Sequence, residues 1–393
     1  MTPTTGATSL RAPAFLALLA SALVFFISAG IALPVSPQFA TGPLGASGLG
    51  FGIAIGMFSL GSLIARPVVG WWADRRGRRL LLIGGAVLTA VALGLHLLVG
   101  ALPGFVAVRL LLGVAEGAFL VAGLAMATDL APPGRTGEAV SLASLSIYGG
   151  VAIGPIIGDA LLNAAGFSAV WILATVVAVV AALIAVAVPE TRPERAPGQA
   201  GGGGRLFHPA GVYPGILCLC ATFGMAGFLT LIPLHTKAMG IGGAGPALAL
   251  YGGIVMLIRF LGAKLPDRMG PVRLASMALF TTAAGLVLIG VLPGQTGLLI
   301  GTAVFAVGVG LSIPSILAFA VSRASADERG SIVGTTSVFL DISFGLAPVA
   351  LAPIADAAGI AATFVASALV AVLGAVLLLA RRPVAQPATT PAG

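Results

Sequence analysis

Charge is what this sequence has least of. Only 8% of its 393 residues are Asp, Glu, Lys or Arg, against about 25% in an ordinary soluble domain. With 58% hydrophobic residues and a mean hydropathy of +1.11, the chain is too apolar for a water-soluble globule. Cysteine is almost absent too: Cys218 and Cys220 stand two apart, so on one helix they face different ways, and neither a disulfide nor a metal site is expected. No nucleotide-binding glycine loop, metal cluster or nucleophile with a paired base occurs. An enzyme and a bound cofactor are therefore not expected.

What is abundant is long apolar runs. A bilayer core of about 30 Å takes roughly 20 apolar residues in a helix, and twelve such runs fit: 13–34, 48–69, 80–102, 104–128, 138–163 and 167–188, then 211–234, 246–266, 272–293, 296–320, 331–354 and 358–381. They are too long and too uniformly apolar for barrel strands. The first exceeds a signal-peptide core and is read as a retained helix. The net charge of +8 does not point to nucleic acid, because the basic residues alternate between loops. Arg11, Arg75, Arg76, Arg78, Arg79, Arg135, Arg192, Arg195, Arg205, Lys264, Arg268, Arg273, Arg323, Arg329, Arg381 and Arg382 fall on one side, with Lys237 on the other. By the positive-inside rule that side is cytoplasmic, as are both termini. The excess of arginine over lysine, with much alanine and glycine, resembles proteins of GC-rich bacteria, so a multi-pass protein of a bacterial cytoplasmic membrane is expected.

The chain also repeats itself. The turn Gly70, Trp71, Trp72, Ala73, Asp74, Arg75, Arg76, Gly77, Arg78, Arg79 follows Arg66, and adding 193 places Arg66 on Arg259, Asp74 on Asp267, Arg75 on Arg268 and Gly77 on Gly270. Gly154 and Pro155 likewise map to Ala347 and Pro348. The expected fold is all-α: twelve transmembrane helices in two pseudo-symmetric six-helix halves, 1–188 and 211–382. A flexible linker rich in proline and glycine (189–210) joins them, and a disordered tail (383–393) follows.

The turn at Gly70 resembles the signature between the second and third helices of the major facilitator superfamily. Locally, Gly70 permits close approach, Gly77 a tight turn, and Asp74 can face a helix N-terminus while Arg75 and Arg78 meet acids or lipid heads. The resemblance implies a cytoplasmic latch between the halves when the cavity opens outward. Its expected partners are Ser331 to Gly334 and Asp129. The second copy, with Asp267, Arg268 and Gly270, has Ala263 for the first glycine and Met269, Pro271 and Val272 for three arginines. It is the weaker latch on this reading.

Arg109 followed by Gly113 resembles the family's fourth-helix motif, although Leu112 stands where many drug and proton antiporters carry glutamine. Gly150, Gly154, Pro155 and Gly158 resemble the fifth-helix motif of exporters, where glycines spaced by four admit a neighbouring helix and proline lets the helix bend. Ser141 and Asp159 depart from it. Glu116 and Asp341, one at mid-depth in each half, are the expected proton or cation sites, since the charged form of a carboxyl is penalised away from water. Each also has a purely structural reading, Glu116 neutralised by Arg109 and Asp341 by hydroxyl or backbone partners. Arg109, Glu116, Asp341 and Tyr148 together are the expected proton and substrate path. Phe25, Phe26, Met57, Phe58, Met225 and Phe228 are candidates for an apolar binding surface, while His96 and His235 read as packing residues.

The resemblance implies alternating-access transport driven by an ion gradient, with a small molecule, protons and the bilayer as partners and a single chain as the working unit. Drug and proton antiporter-like export of an apolar or cationic compound is the leading expectation. An uptake permease is the nearest alternative, and a non-transporting sensor or assembly factor a third.

Overall fold

A backbone in hydrocarbon must satisfy its own polar groups, and this chain does so with helices throughout. The computed structural model describes residues 9–191, 208–262, 265–322 and 328–380, with the side chains at 74, 266, 267, 329 and 330 outside the description. Most of the expected linker and all of the expected tail therefore lie outside the described residues, as do Arg192, Arg195, Arg205, Lys264, Arg323, Arg381 and Arg382.

The helices are α1 (Pro13–Ala32), α2 (Val35–Thr41), α3 (Gly48–Arg76), α4 (Arg79–Leu95), α5 (Leu102–Asp129), α6 (Thr136–Val186), α7 (Val212–Ala238), α8 (Gly245–Leu261), α9 (Leu265–Met269), α10 (Pro271–Val291), α11 (Gly294–Val321), α12 (Arg329–Ala358) and α13 (Ile360–Ala380). Among the described residues, ten helical segments are long and apolar enough to cross a membrane, and the 17-residue α8 is a shorter apolar helix. The 51-residue α6 is two crossings that turn back at Gly166, whose φ of 78° and ψ of −177° leave the helical region. Twelve crossings result.

Sequence punctuation sets the boundaries. Proline occupies the first turn of α1, α5, α8 and α10, where its missing N–H costs nothing. Most of the described reversals include a glycine with positive φ, and four of these form two pairs at the 193 offset: Gly77 with Gly270 and Gly166 with Gly359. Only glycine enters that region without strain, so the duplication is preserved in backbone geometry as well as in sequence.

Within the first half α1 packs on α6, α3 on α5 and α4 on α5 and α6; within the second, α7 packs on α12 and α13, and α10 on α11 and α13. Small residues bring the backbones together. A Cβ at Gly154 would stand 2.6 Å from backbone carbon atoms of Gly30, and one at Gly150 would stand 2.5 Å from Phe26. Gly150, Gly154, Pro155 and Gly158 are all buried. Helical dihedrals continue through Pro155, Gly166 being the only residue of α6 outside them.

The halves meet mainly along two seams, α3 against α12 and α6 against α8, with α2 also touching α7. Both are tight at the end away from the basic loops. A Cβ at Gly52 would stand 2.6 Å from the Pro348 oxygen and the Val349 Cα, and one at Gly252 would stand 2.8 Å from Ala152. There Asp159 is 5% exposed and its Oδ2 accepts the Gly245 N–H at 3.1 Å, at the start of α8. Asp356 lies in the corresponding place at the other seam, against Gly48 at the start of α3. At the basic end the halves part, and a cleft of about 510 Å³ opens between α6, α8 and α11.

Candidate functional site

Five charged residues sit within the apolar spans: Arg66, Arg109, Glu116, Arg259 and Asp341, Arg259 in the last turn of α8. A cation at such depth costs about 2.5–3.5 kcal/mol on insertion scales, so each needs a protein or water environment. Arg66 of α3 finds it across the seam. Its Nη2 donates to Asp341 Oδ1 of α12 at 2.9 Å, and its Nε lies 2.8 Å from Oδ2. This pair joins the two halves and is mostly shielded, with 12% of the Asp341 side chain exposed.

The structural reading of Asp341, through hydroxyl or backbone partners, is thereby corrected: its partner is an arginine from the other half. Sequence reasoning used Arg66 only as a marker of the repeat. The signal available was its depth, since an arginine four residues before the turn lies inside the apolar run.

Glu116 of α5 is partly exposed and within electrostatic reach of Arg109, Asp341 and Arg66. It makes no ion pair with Arg109, in keeping with their separation of seven residues. Arg109 instead lies with its guanidinium 4.8 Å from the centre of the Phe58 ring.

At the other seam Arg259 of α8 lies over Tyr148 of α6, 4.5 Å from the ring centre. The offset of 193 that carries Arg66 to Arg259 also carries Tyr148 to Asp341. The two seams are therefore equivalent positions filled differently, by an ion pair in one and by a cation over an aromatic face in the other. Tyr148 and Arg259 both line the open cleft.

The turn at Gly70 makes one expected contact and several that the sequence did not indicate. Arg78 forms an ion pair with Asp129 of α5, as expected, and Asp129 also accepts from the Thr191 hydroxyl at 2.7 Å. Glu190, absent from the sequence expectation, accepts the backbone N–H groups of Arg78 and Arg79 at 2.9 and 3.1 Å. It thus caps α4. Arg75 and Arg76 stack on Trp71 and Trp72. Nothing lies within 4 Å of where a Cβ would stand at Gly70 or at Gly334, and the Asp74 side chain, part of the turn expected to meet Ser331 to Gly334, lies outside the described residues.

Arg268 of α9 is exposed, and Gly270 reverses the chain before α10. The side chains of Asp74 and Asp267 lie outside the described residues.

Several candidates prove to be packing. Phe25 stacks on Phe119 at 3.8 Å, and Phe228 is buried between Tyr251 and Phe305. Phe25, Phe26 and Phe228 are therefore core residues. His96 stacks on Trp171 at 4.3 Å, His235 packs edge-on against Phe364, and both cysteines are free and buried.

Comparison with known proteins agrees with this architecture. The family model described as Major Facilitator Superfamily matches residues 18–348 and, in a second match, 267–393. An uncharacterized MFS-type transporter of Salmonella typhimurium is 27% identical over 364 residues, covering 90% of this chain and 92% of the relative. Among solved structures, a bacterial homologue of the human lysosomal transporter Spinster, in an inward-facing and occupied conformation, superposes with a TM-score of 0.78 at 15% identity, covering 95% of this chain and 97% of that one. The human organic anion transporter MFSD10 gives 0.69 at 19%, covering 93% and 99%. By its matched sequence, its duplicated turn and its two six-helix halves, the chain belongs to the Major Facilitator Superfamily, a family of membrane transporters rather than enzymes.

Proposed function

We propose that the chain is a proton-coupled exporter of a small organic compound in a bacterial cytoplasmic membrane, working as a single chain by alternating access. The observation that carries this reading is the Arg66–Asp341 pair across the α3–α12 seam, with Glu116 in electrostatic reach. Protonation of Asp341 removes the charge that holds Arg66, and a coupling ion must bind the two conformations unequally to drive exchange between them. The glycine and proline series in α6 supports export through its resemblance to the exporter motif. A cationic cargo fits poorly, because Arg259 lines the cleft.

The test uses proteoliposomes under an imposed pH gradient and a panel of labelled small acids, amines and neutral arenes. Wild type moves a panel member against its own gradient, towards the outer face. Asp341→Asn and Glu116→Gln insert normally and still exchange that compound at equilibrium, but at least one loses the gradient-driven component. Full coupled flux in both variants overturns the reading.

A further inference from the structure

The two seams differ in one respect that matters for chemistry: Arg66 meets a carboxylate, and its equivalent Arg259 meets a ring. Of these five charges within the spans, three are guanidiniums and two are carboxylates. Arg259 makes no ion pair or hydrogen bond from its side chain among the described residues, and its Nε is buried without a partner. Tyr148 covers its face. Stacking on the flat face leaves the N–H groups around the edge available, in the fork geometry that suits a carboxylate or sulfonate.

The rest of the cleft does not compete for that edge. Glu138, the acid among its lining residues, has both oxygens engaged by Arg135 at 2.8 and 2.7 Å. The hydroxyls of Ser141, Ser144 and Ser315 donate to carbonyls of their own helices. The remaining wall includes Met256, Phe260 and Leu311, which favours an apolar body beside the charged group.

We infer that Arg259 is the docking point for the anionic group of an organic acid with an apolar body, which supplies at the α6–α8 seam the negative charge that Asp341 supplies at the α3–α12 seam. Tyr148 is its positioning residue. It holds the guanidinium so that the donors face the cleft.

This inference rests on the transport reading of the same cleft, but equilibrium binding needs no gradient, so the two fail separately. The test is calorimetric titration of the purified full-length chain in neutral detergent with 1-naphthoate, 1-naphthamide and 1-naphthylmethylammonium. Wild type binds the acid at least tenfold more tightly than the amide or the cation. Arg259→Gln removes the preference, so that the acid and the amide bind alike. Arg259→Lys, which keeps the charge and loses the fork, retains part of it.

Equal binding of the acid and the amide, tighter binding of the cation, binding of none of the three, or a preference that survives Arg259→Gln overturns the assignment. Displacement of the acid by an equal concentration of phosphatidylglycerol, but not of neutral phosphatidylcholine, would make this a lipid-headgroup site and overturns it as well. If anion preference holds but Asp341→Asn and Glu116→Gln both still couple fully to protons, this site stands and the coupling proposal falls.

Discussion

Gly52 offers the most direct test of what keeps the outer end closed. Its α-carbon faces α12 so closely that a methyl group there would lie 2.6 Å from the Pro348 oxygen and the Val349 Cα. Those are backbone atoms, which cannot swing aside as a side-chain tip can. Gly52→Ala therefore forces the α3–α12 seam apart at this level, and overpacking of this kind typically costs about 1–3 kcal/mol. The cost falls only on the conformation in which the outer ends touch. The equilibrium should then move toward the outward-open form by about 5- to 150-fold.

Spin labels at the exposed residues Ser47 and Ala357, in a background lacking Cys218 and Cys220, report the separation directly. The variant is expected to populate a longer distance that is minor in the parent. Gly253→Ala, one residue from the equivalent contact but with open space around it, should leave the distribution unchanged. Superimposable distributions for Gly52→Ala and its parent would refute the idea that backbone contact between the halves sets this equilibrium.

Gly154→Ala places its methyl group within the first half, against Gly30, so it should lower the thermal midpoint through a loss of about 1–3 kcal/mol without moving the Ser47–Ala357 distance. Glu190→Ala removes the acceptor for two N–H groups at the start of α4 and should cost about 0.5–2 kcal/mol. Chemical unfolding of the purified protein measures that loss, with Glu190→Gln expected to recover part of it.

The sequence carried the fold because the bilayer reduces folding to a few readable demands: length, hydropathy, basic loops and turn glycines. Twelve spans and two halves follow from those alone, and the pairs Gly77/Gly270 and Gly166/Gly359 show the repeat reaching the dihedral angles. Glu116 and Asp341 were legible because a carboxyl at mid-depth stands out in any apolar run. Their surroundings were not. The partner of Asp341 is 275 positions away in sequence, and nothing local to either residue records it.

Tyr148 and Asp341 were equally hidden as counterparts, since a match by residue type passes over a tyrosine aligned with an aspartate. The aromatic candidates failed for the opposite reason. Phe25, Phe26 and Phe228 look alike whether they face a cavity or a neighbour, and hydropathy does not distinguish the two. Glu190 was overlooked because its importance comes from the unpaired N–H groups of α4, which become visible only once the end of α6 is placed beside them.

The outer closure at α8 has a consequence for how such a protein can drift through evolution. Asp159 is held by an N–H of the peptide chain itself, so exchanging side chains along α8 leaves the donor in place. The inheritance of that seal is concentrated in two positions. One is Asp159; the other is Gly243, whose φ of 103° disfavours any side chain and whose missing Cβ leaves the space that the Asp159 carboxylate occupies. A lineage can rewrite most of this surface and keep its seal, provided those two residues are replaced together or not at all.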